Sequence, residues 1–230
     1  MTAVGSIDAV LFDLDGTLLD TAPDLAAALN AVRESEGLAA LAFEEIRPHV
    51  SHGGAALVRL GFPQARDSRF EDLRARLLDF YRRDMPRATQ LFPGLDEVLG
   101  ALERSGKPWG VVTNKPGWLT QPLLAALGLA ARAGCIVSGD SLTERKPHPL
   151  PLLHAAMLIG RDPSRCLYVG DAERDVAAAR AAGMRSLVAG YGYLGASDRP
   201  LDWQADGMIE QPEEILAWLV NGAARQELRQ

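Results

Sequence analysis

The chain has 230 residues, 47% of them hydrophobic, and a formal net charge of −6. That supplies apolar material for one large domain, or a domain with a smaller insert, while the negative balance removes the electrostatic case for nucleic acid or an anionic membrane as partner. No apolar run reaches the length of a membrane span, MTAVGSIDAV lacks the basic and apolar regions of a secretory signal, and the two cysteines, Cys135 and Cys166, sit in apolar runs as buried free thiols would, so the expected compartment is the cytoplasm.

The first predicted element is a strand over Ala9–Phe12, within VLFDLDGTLLD, where an apolar run ends in three acids, Asp13, Asp15 and Asp20. If the chain stays extended there, Asp13 and Asp15 point the same way, and Gly16 permits a sharp exit. From Thr21 to Ala88 the pattern is helical, with no convincing strand. Thr21 is placed to cap a helix with Pro23 in its first turn and Leu25, Leu29 and Val32 on one face. Two shorter helices are predicted over Glu44–Val50 and Ala55–Leu60. Ser68 with Glu71 forms a capping-box pattern ahead of Leu73, Leu77 and Phe80.

Beyond this insert, helices and strands alternate: helix Leu95–Arg104, strand Gly110–Thr113, helix Trp118–Leu127, strand Cys135–Val137, helix Leu150–Ile159, strand Cys166–Val169, helix Arg174–Ala182, strand Ser186–Val188 and a weaker strand at Met208–Ile209. Gly106, Gly128, Gly160 and Gly183 closely follow the four helices as stop signals. The predicted fold class is α/β: a parallel-sheet, Rossmann-like core with helices on both faces, plus a small all-helical cap domain. The core is expected over residues 1–20 and 89–230, and the cap over 21–88.

In open parallel sheets, ligands bind beyond the carboxyl ends of the strands. Those ends carry Asp13 and Asp15, then Thr113 and Asn114, then Gly170 and Asp171 with Asp175 four residues on; Lys146, in RKPHP, precedes the helix after the third strand. Gathered carboxylates are costly without a compensating cation, and an oxygen donor set favours a hard ion such as Mg2+. An aspartate is already ionised at neutral pH and needs no base to act as a nucleophile. Its difficulty is the like charge of a phosphate, about 4 kcal/mol at roughly 4 Å in a partly buried site. A divalent cation and a lysine remove that repulsion, so the inventory suits phosphoryl transfer.

FDLDGTLLD, VVTNK, RKP and VGDAERD, in that order, resemble the four motifs of the haloacid dehalogenase superfamily, over nearly the whole chain. WGVVTNKP, KPHP and YGY (Tyr191–Tyr193) are most similar to its phosphoglycolate phosphatase group, and are shared with N-acetylmuramic acid 6-phosphate phosphatases. The resemblance implies a phosphoric monoester hydrolase. It implies Asp13 as the nucleophile that forms an aspartyl-phosphate, and Asp15 as general acid and then base. Thr113 and Asn114 would bind phosphate, and Lys146 would neutralise nucleophile and phosphate. Asp171, the Asp13 carboxylate and the Asp15 carbonyl oxygen would hold Mg2+, with Asp175 behind them holding a metal-bound water or Lys146. The expected partner is a small-molecule phosphoester, acted on by a monomer or small homo-oligomer.

Other residues are weighed against plainer readings. HVSHGG (His49–Gly54) is either a helix–helix turn or a loop reaching the site; cap loops of the family select substrate, which points to His49, Ser51, His52 and Gly53. Lys115 reads as a local surface lysine on strand alternation. His148 and His154 fit no zinc spacing. Of Arg33, Arg47, Arg82 and Arg83, on or near the cap helices, one could meet a substrate carboxylate, but solvated helix faces are the simpler reading. Two rival functions remain: a sugar phosphomutase, against which Thr17 speaks because related mutases tend to carry an apolar residue there, and a phospho-accepting receiver, for which only Asp140 stands behind the third strand.

Overall fold

A computed structural model describes residues 6–220 of the chain. Its elements, in order, are β1 (Ala9–Phe12), β2 (Leu19–Asp20), α1 (Ala22–Ser35), α2 (Phe43–Ile46), a 3-10 turn over Arg47–His52, α3 (Gly53–Gly61), α4 (Asp67–Asp84), β3 (Gln90–Leu91), α5 (Leu95–Arg104), β4 (Trp109–Val112), α6 (Gly117–Ala126), β5 (Cys135–Val137), α7 (Leu150–Leu158), β6 (Cys166–Gly170), α8 (Glu173–Ala181), β7 (Arg185–Ala189), β8 (Gly207–Ile209) and α9 (Glu214–Val220).

Six strands form one sheet in the order β5-β4-β1-β6-β7-β8, every neighbouring pair parallel. Alternation along β1 sends Val10 and Phe12 to one face, with α5, α6 and α9, and Ala9 and Leu11 to the other, with α7 and α8. The chain therefore builds the expected α/β core with helices on both sides of a parallel sheet. β1 lies between β4 and β6, where the strand order reverses, which is where such sheets open a crevice for ligands.

Two short strands escaped the sequence reading. β2 and β3 pair antiparallel, Leu19 with Leu91 and Asp20 with Gln90, at the two ends of the helical insert. Each is two residues long, too short for a period-2 pattern to register. The insert's helices bury Leu29, Leu57, Leu73 and Leu77 in the same apolar cluster that covers one sheet face. Tyr81, not the predicted Phe80, continues the buried stripe of α4. The Ser68 capping box does not form, because α4 begins at Asp67. Among the described residues, no helix is long and apolar enough to cross a membrane. Cys135 and Cys166 are free and buried, and burial pushes their thiols up to about 12 and about 11, so neither is a ready nucleophile.

Asp24, in the first turn of α1, fastens the insert's return to the sheet. Its carboxylate accepts from the backbone N–H of Arg87 (3.0 Å), Ala88 (2.9 Å) and Thr89 (3.0 Å) and from the Thr89 hydroxyl (2.7 Å). An amide offers one acceptor oxygen for these four donors. Asp24→Asn is expected to lower the unfolding free energy by about 1.5–3 kcal/mol, read from the urea midpoint at unchanged m-value.

Candidate active site

The site starts from one buried cation. The loop after β5 brings Lys146 under the end of β1, with its side chain fully buried. Its ammonium lies 2.9 Å from Asp13 Oδ1 and 2.8 Å from Asp175 Oδ1, and donates to the Tyr168 hydroxyl at 2.7 Å. Two of these partners are ion-pair contacts and the third is a hydrogen bond, and Asp175 Oδ1, like Asp171 Oδ1, has no hydrogen-bond partner among the described residues. Tyr168, on β6, passes its own proton to the Val112 carbonyl at 2.7 Å. Asn114 clamps the lysine's backbone, accepting from Lys146 N–H (3.1 Å) and donating to its carbonyl (2.8 Å). The Asn114 side chain expected on the phosphate is thus committed to positioning Lys146.

Against this cation stand three carboxylates. Asp13, Asp171 and Asp175 each offer an oxygen, all within 4.8 Å of one another, and all three are buried. Burial opposes charge on Asp13, but Lys146, Arg174 and the Leu14 N–H outweigh it and hold its carboxyl below the usual range. At Asp171 the balance runs the other way. Burial first, then the charges of Asp13 and Asp175, push it up to about 7. Its Oδ2 accepts from the Ser51 hydroxyl (2.6 Å) and Tyr193 N–H (3.0 Å), while Oδ1 is buried without a partner. Hard oxygen donors, surplus negative charge and an orphaned carboxylate oxygen fit a divalent cation. The backbone makes room for this approach. Gly16 has φ +82°, and a Cβ there would strike Asp171 Oδ2.

Asp15 faces the same cavity as Asp13, although β1 has already ended at Phe12. Its Oδ1 accepts from the Thr21 hydroxyl (2.6 Å) and from the Lys115 ammonium (2.8 Å). Two expectations change here. Thr21 precedes α1 as predicted, but its side chain does not cap the helix; it holds Asp15. Lys115 is not a surface lysine: its side chain is 6% exposed and lies over the Tyr81 ring, 4.5 Å from the centroid. β4 ends at Val112, so alternation no longer governs Lys115, and the bend turns it inward. The Thr113 hydroxyl accepts from Lys115 N–H at 3.1 Å and lines the cavity.

The cavity has a volume of about 330 Å³ between the sheet edge and the helical insert. Ser51, His52 and Gly53 line it, as does Asn114, whereas His49 does not. Arg174 went unremarked in the sequence although VGDAERD contains it. Its guanidinium donates to the Ser51 carbonyl at 2.8 Å and lies 3.7 Å from Asp13 Oδ2. Its position between Asp171 and Asp175 was the available signal. Arg47 also departs from a solvated reading: it stacks on the Tyr193 ring at 4.9 Å and donates to the Tyr191 carbonyl. Arg33 likewise turns in, donating to the Ala39 and Gly61 carbonyls. Neither His148 nor His154 lines the cavity. Asp140 accepts from Gly117 N–H at the start of α6 (2.7 Å), which gives the receiver reading's only acid a structural task.

Residues 10–189 match the family model of haloacid dehalogenase-like hydrolases. The chain is 47% identical over 207 residues to a phosphoglycolate phosphatase of Xanthomonas campestris, covering 90% of this chain and 94% of the relative. It is 41% identical over 211 residues to an N-acetylmuramic acid 6-phosphate phosphatase of Pseudomonas aeruginosa, covering 91% and 93%. Its fold superposes, with a TM-score of 0.82 and 28% identity, on the crystal structure of a "predicted phosphoglycolate phosphatase" from Haemophilus somnus, covering 92% of this chain and 97% of that one.

Two carboxylates at about 5 Å repel by roughly 3 kcal/mol in a partly screened site. Asp171→Asn removes one charge and supplies an N–H to its neighbours. Without divalent ions, its thermal midpoint is expected to rise by about 3–6 °C, equivalent to roughly 1–2 kcal/mol for a chain of this size. If a divalent cation occupies this cluster, added Mg2+ is expected to raise the midpoint of the unmodified protein and to leave that of the variant unchanged.

Proposed function

Because this chain belongs to the haloacid dehalogenase-like hydrolase family, we propose that it is a Mg2+-dependent phosphatase of small phosphate monoesters, of the 2-phosphoglycolate type, working through an aspartyl-phosphate on Asp13. The observation that carries this reading is the Lys146 ammonium, within ion-pair distance of both Asp13 and Asp175, beside Asp171 and Asp175 oxygens that have no hydrogen-bond partner among the described residues. It puts an ionised, oriented carboxylate where positive charge can draw in a phosphate.

Oδ1 of Asp13 is engaged by Lys146 and by Leu14 N–H (2.7 Å), which leaves Oδ2 to attack phosphorus. Thr113, the Asn114 backbone and Arg174 are the donors for the phosphoryl oxygens. Asp15 is the group that gives a proton to the departing alcohol and then takes one from the hydrolytic water, as covalent hydrolysis requires. Thr21 and Lys115 hold its Oδ1, so Oδ2 is the oxygen left for that exchange. Mg2+, held by Asp13, Asp171 and the Asp15 carbonyl oxygen with Asp175 in support, supplies charge neutralisation at the phosphate. The helical insert, residues 21–88, is a cap that excludes bulk water from the acyl-phosphate, with Ser51, His52 and Gly53 on its inner side. His49 stands outside that lining and is not assigned a substrate contact.

N-acetylmuramic acid 6-phosphate is the second reading, favoured by the 41% identical relative. The test is phosphate release from a panel of small phosphoesters, with Mg2+ and with chelator. Release is expected only with Mg2+, and Asp13→Asn should lower it by about 10⁴-fold or more, as loss of a nucleophile does. Comparable release by that variant would remove Asp13 as nucleophile. Net isomerisation of a sugar phosphate without free phosphate would point to a mutase.

A further inference from the structure

The far wall of the cavity holds an unmet demand. Tyr81, on α4, lines the same cavity as Asp13 and Thr113 and is 1% exposed, yet its hydroxyl has no hydrogen-bond partner among the described residues. The Lys115 ammonium lies over the ring and can only donate; the carboxylates of Asp15 and Asp24 act on the group through their charge but accept no hydrogen bond from it. The phenolic proton therefore lacks an acceptor, and a buried unpaired donor is costly. Burial also raises the Tyr81 pKa, so the proton stays on the oxygen at neutral pH.

The charge of the wall indicates which acceptor. Arg74, Lys115, Arg145 and Arg174 line the cavity against only Asp13 and Asp15. Arg74 stands on α4, one face with Leu77 and Leu78, and its single ion pair is an exposed one with Glu71 at 3.2 Å, the kind worth little to stability and easily exchanged. The first turn of α3, Gly53–Ala55, lines the cavity as well, with the Gly53 N–H already bonded to the Val50 carbonyl.

We infer that Tyr81, with Arg74 on the same helix and lining the same cavity, is a specificity subsite for a second anionic group, a carboxylate, carried by the alcohol half of the phosphoester. The inference rests on the phosphatase reading and adds the substrate's other end. The carboxylate accepts a hydrogen bond from the Tyr81 hydroxyl and pairs with the Arg74 guanidinium. Both 2-phosphoglycolate and N-acetylmuramic acid 6-phosphate carry one, at different distances from phosphorus, so the shared requirement is a carboxylate-bearing monoester.

The test uses matched pairs: 2-phosphoglycolate against 2-hydroxyethyl phosphate, and N-acetylmuramic acid 6-phosphate against N-acetylglucosamine 6-phosphate. For the native protein, kcat/KM should favour the acid in at least one pair, and that pair identifies the source. Tyr81→Phe should lower that preference about 10- to 100-fold, as loss of a hydrogen bond to a charged group does, and Arg74→Gln in the same direction. Because the lost hydroxyl is unpaired, Tyr81→Phe should keep or raise the thermal midpoint; a lowered midpoint with unchanged preference would make Tyr81 structural and overturn the subsite. An equal fall on acid and neutral esters would overturn it too. Calorimetric binding of both acids to Asp13→Asn, with and without Tyr81→Phe, separates this from the catalytic reading. If the native protein hydrolyses none of the four esters, the phosphatase proposal fails, while weaker binding of an acid to the double variant still sustains the subsite and equal binding ends it.

Discussion

A single buried ammonium organises this molecule. Lys146 is buried away from solvent, and its ammonium is compensated by the carboxylates of Asp13 and Asp175 at ion-pair distance and by a hydrogen bond to Tyr168. Removing any one partner would leave a buried charge short of compensation, a loss of several kcal/mol in comparable cases. The same contacts fix Asp13 in one orientation and keep it ionised. Four separate segments meet at that nitrogen: the end of β1, the loop after β5, the middle of β6 and the start of α8. The parallel sheet is what makes such a meeting possible, because it delivers every strand's carboxyl end to one edge.

Around that centre the charges are deliberately unequal. Lys146 and Arg174 do not balance Asp13, Asp171 and Asp175, and the remainder falls on Asp171, whose carboxyl is pushed up to about 7. A protein built for stability alone would place an amide or a hydrophobe there. Under the proposed reading that imbalance is what a cation would relieve, next to a carboxylate kept ionised for an incoming phosphate.

The helical insert is bound to the sheet by polar contacts at its base and over the site. Asp24 holds the returning strand. The Tyr193 hydroxyl donates to Asp20 and accepts from Ala22 N–H, so a residue that follows β7 fixes the point where the insert leaves the sheet. Ser51 touches Asp171, and its carbonyl receives Arg174. The insert thereby reaches the acidic cluster itself, and whatever orders that cluster also bears on how the insert sits. Buried donors and acceptors of this kind set geometry more than stability, since each replaces a contact with water.

What the sequence by itself determined was the framework and its chemistry. Apolar runs read as strands at Ala9–Phe12, Gly110–Thr113 and Cys166–Val169 fall within a residue of β1, β4 and β6, helical periods separate them, and acids or a lysine near their ends mark the candidate site. These signals are local, so they survive in one dimension. Contacts made across the fold do not. Nothing near Lys115 in the sequence says that the chain bends after Val112 and turns it to Asp15, that Thr21 holds Asp15 instead of capping α1, or that Tyr168, Arg174 and Tyr81 enter the site while Asn114 supports Lys146 from behind. β2 and β3 were invisible because each is too short to carry a period. Those partners are 6 to more than 100 residues apart, and only the tertiary structure chooses them, because a buried charge or hydroxyl must find its complement in space, wherever along the chain that complement lies.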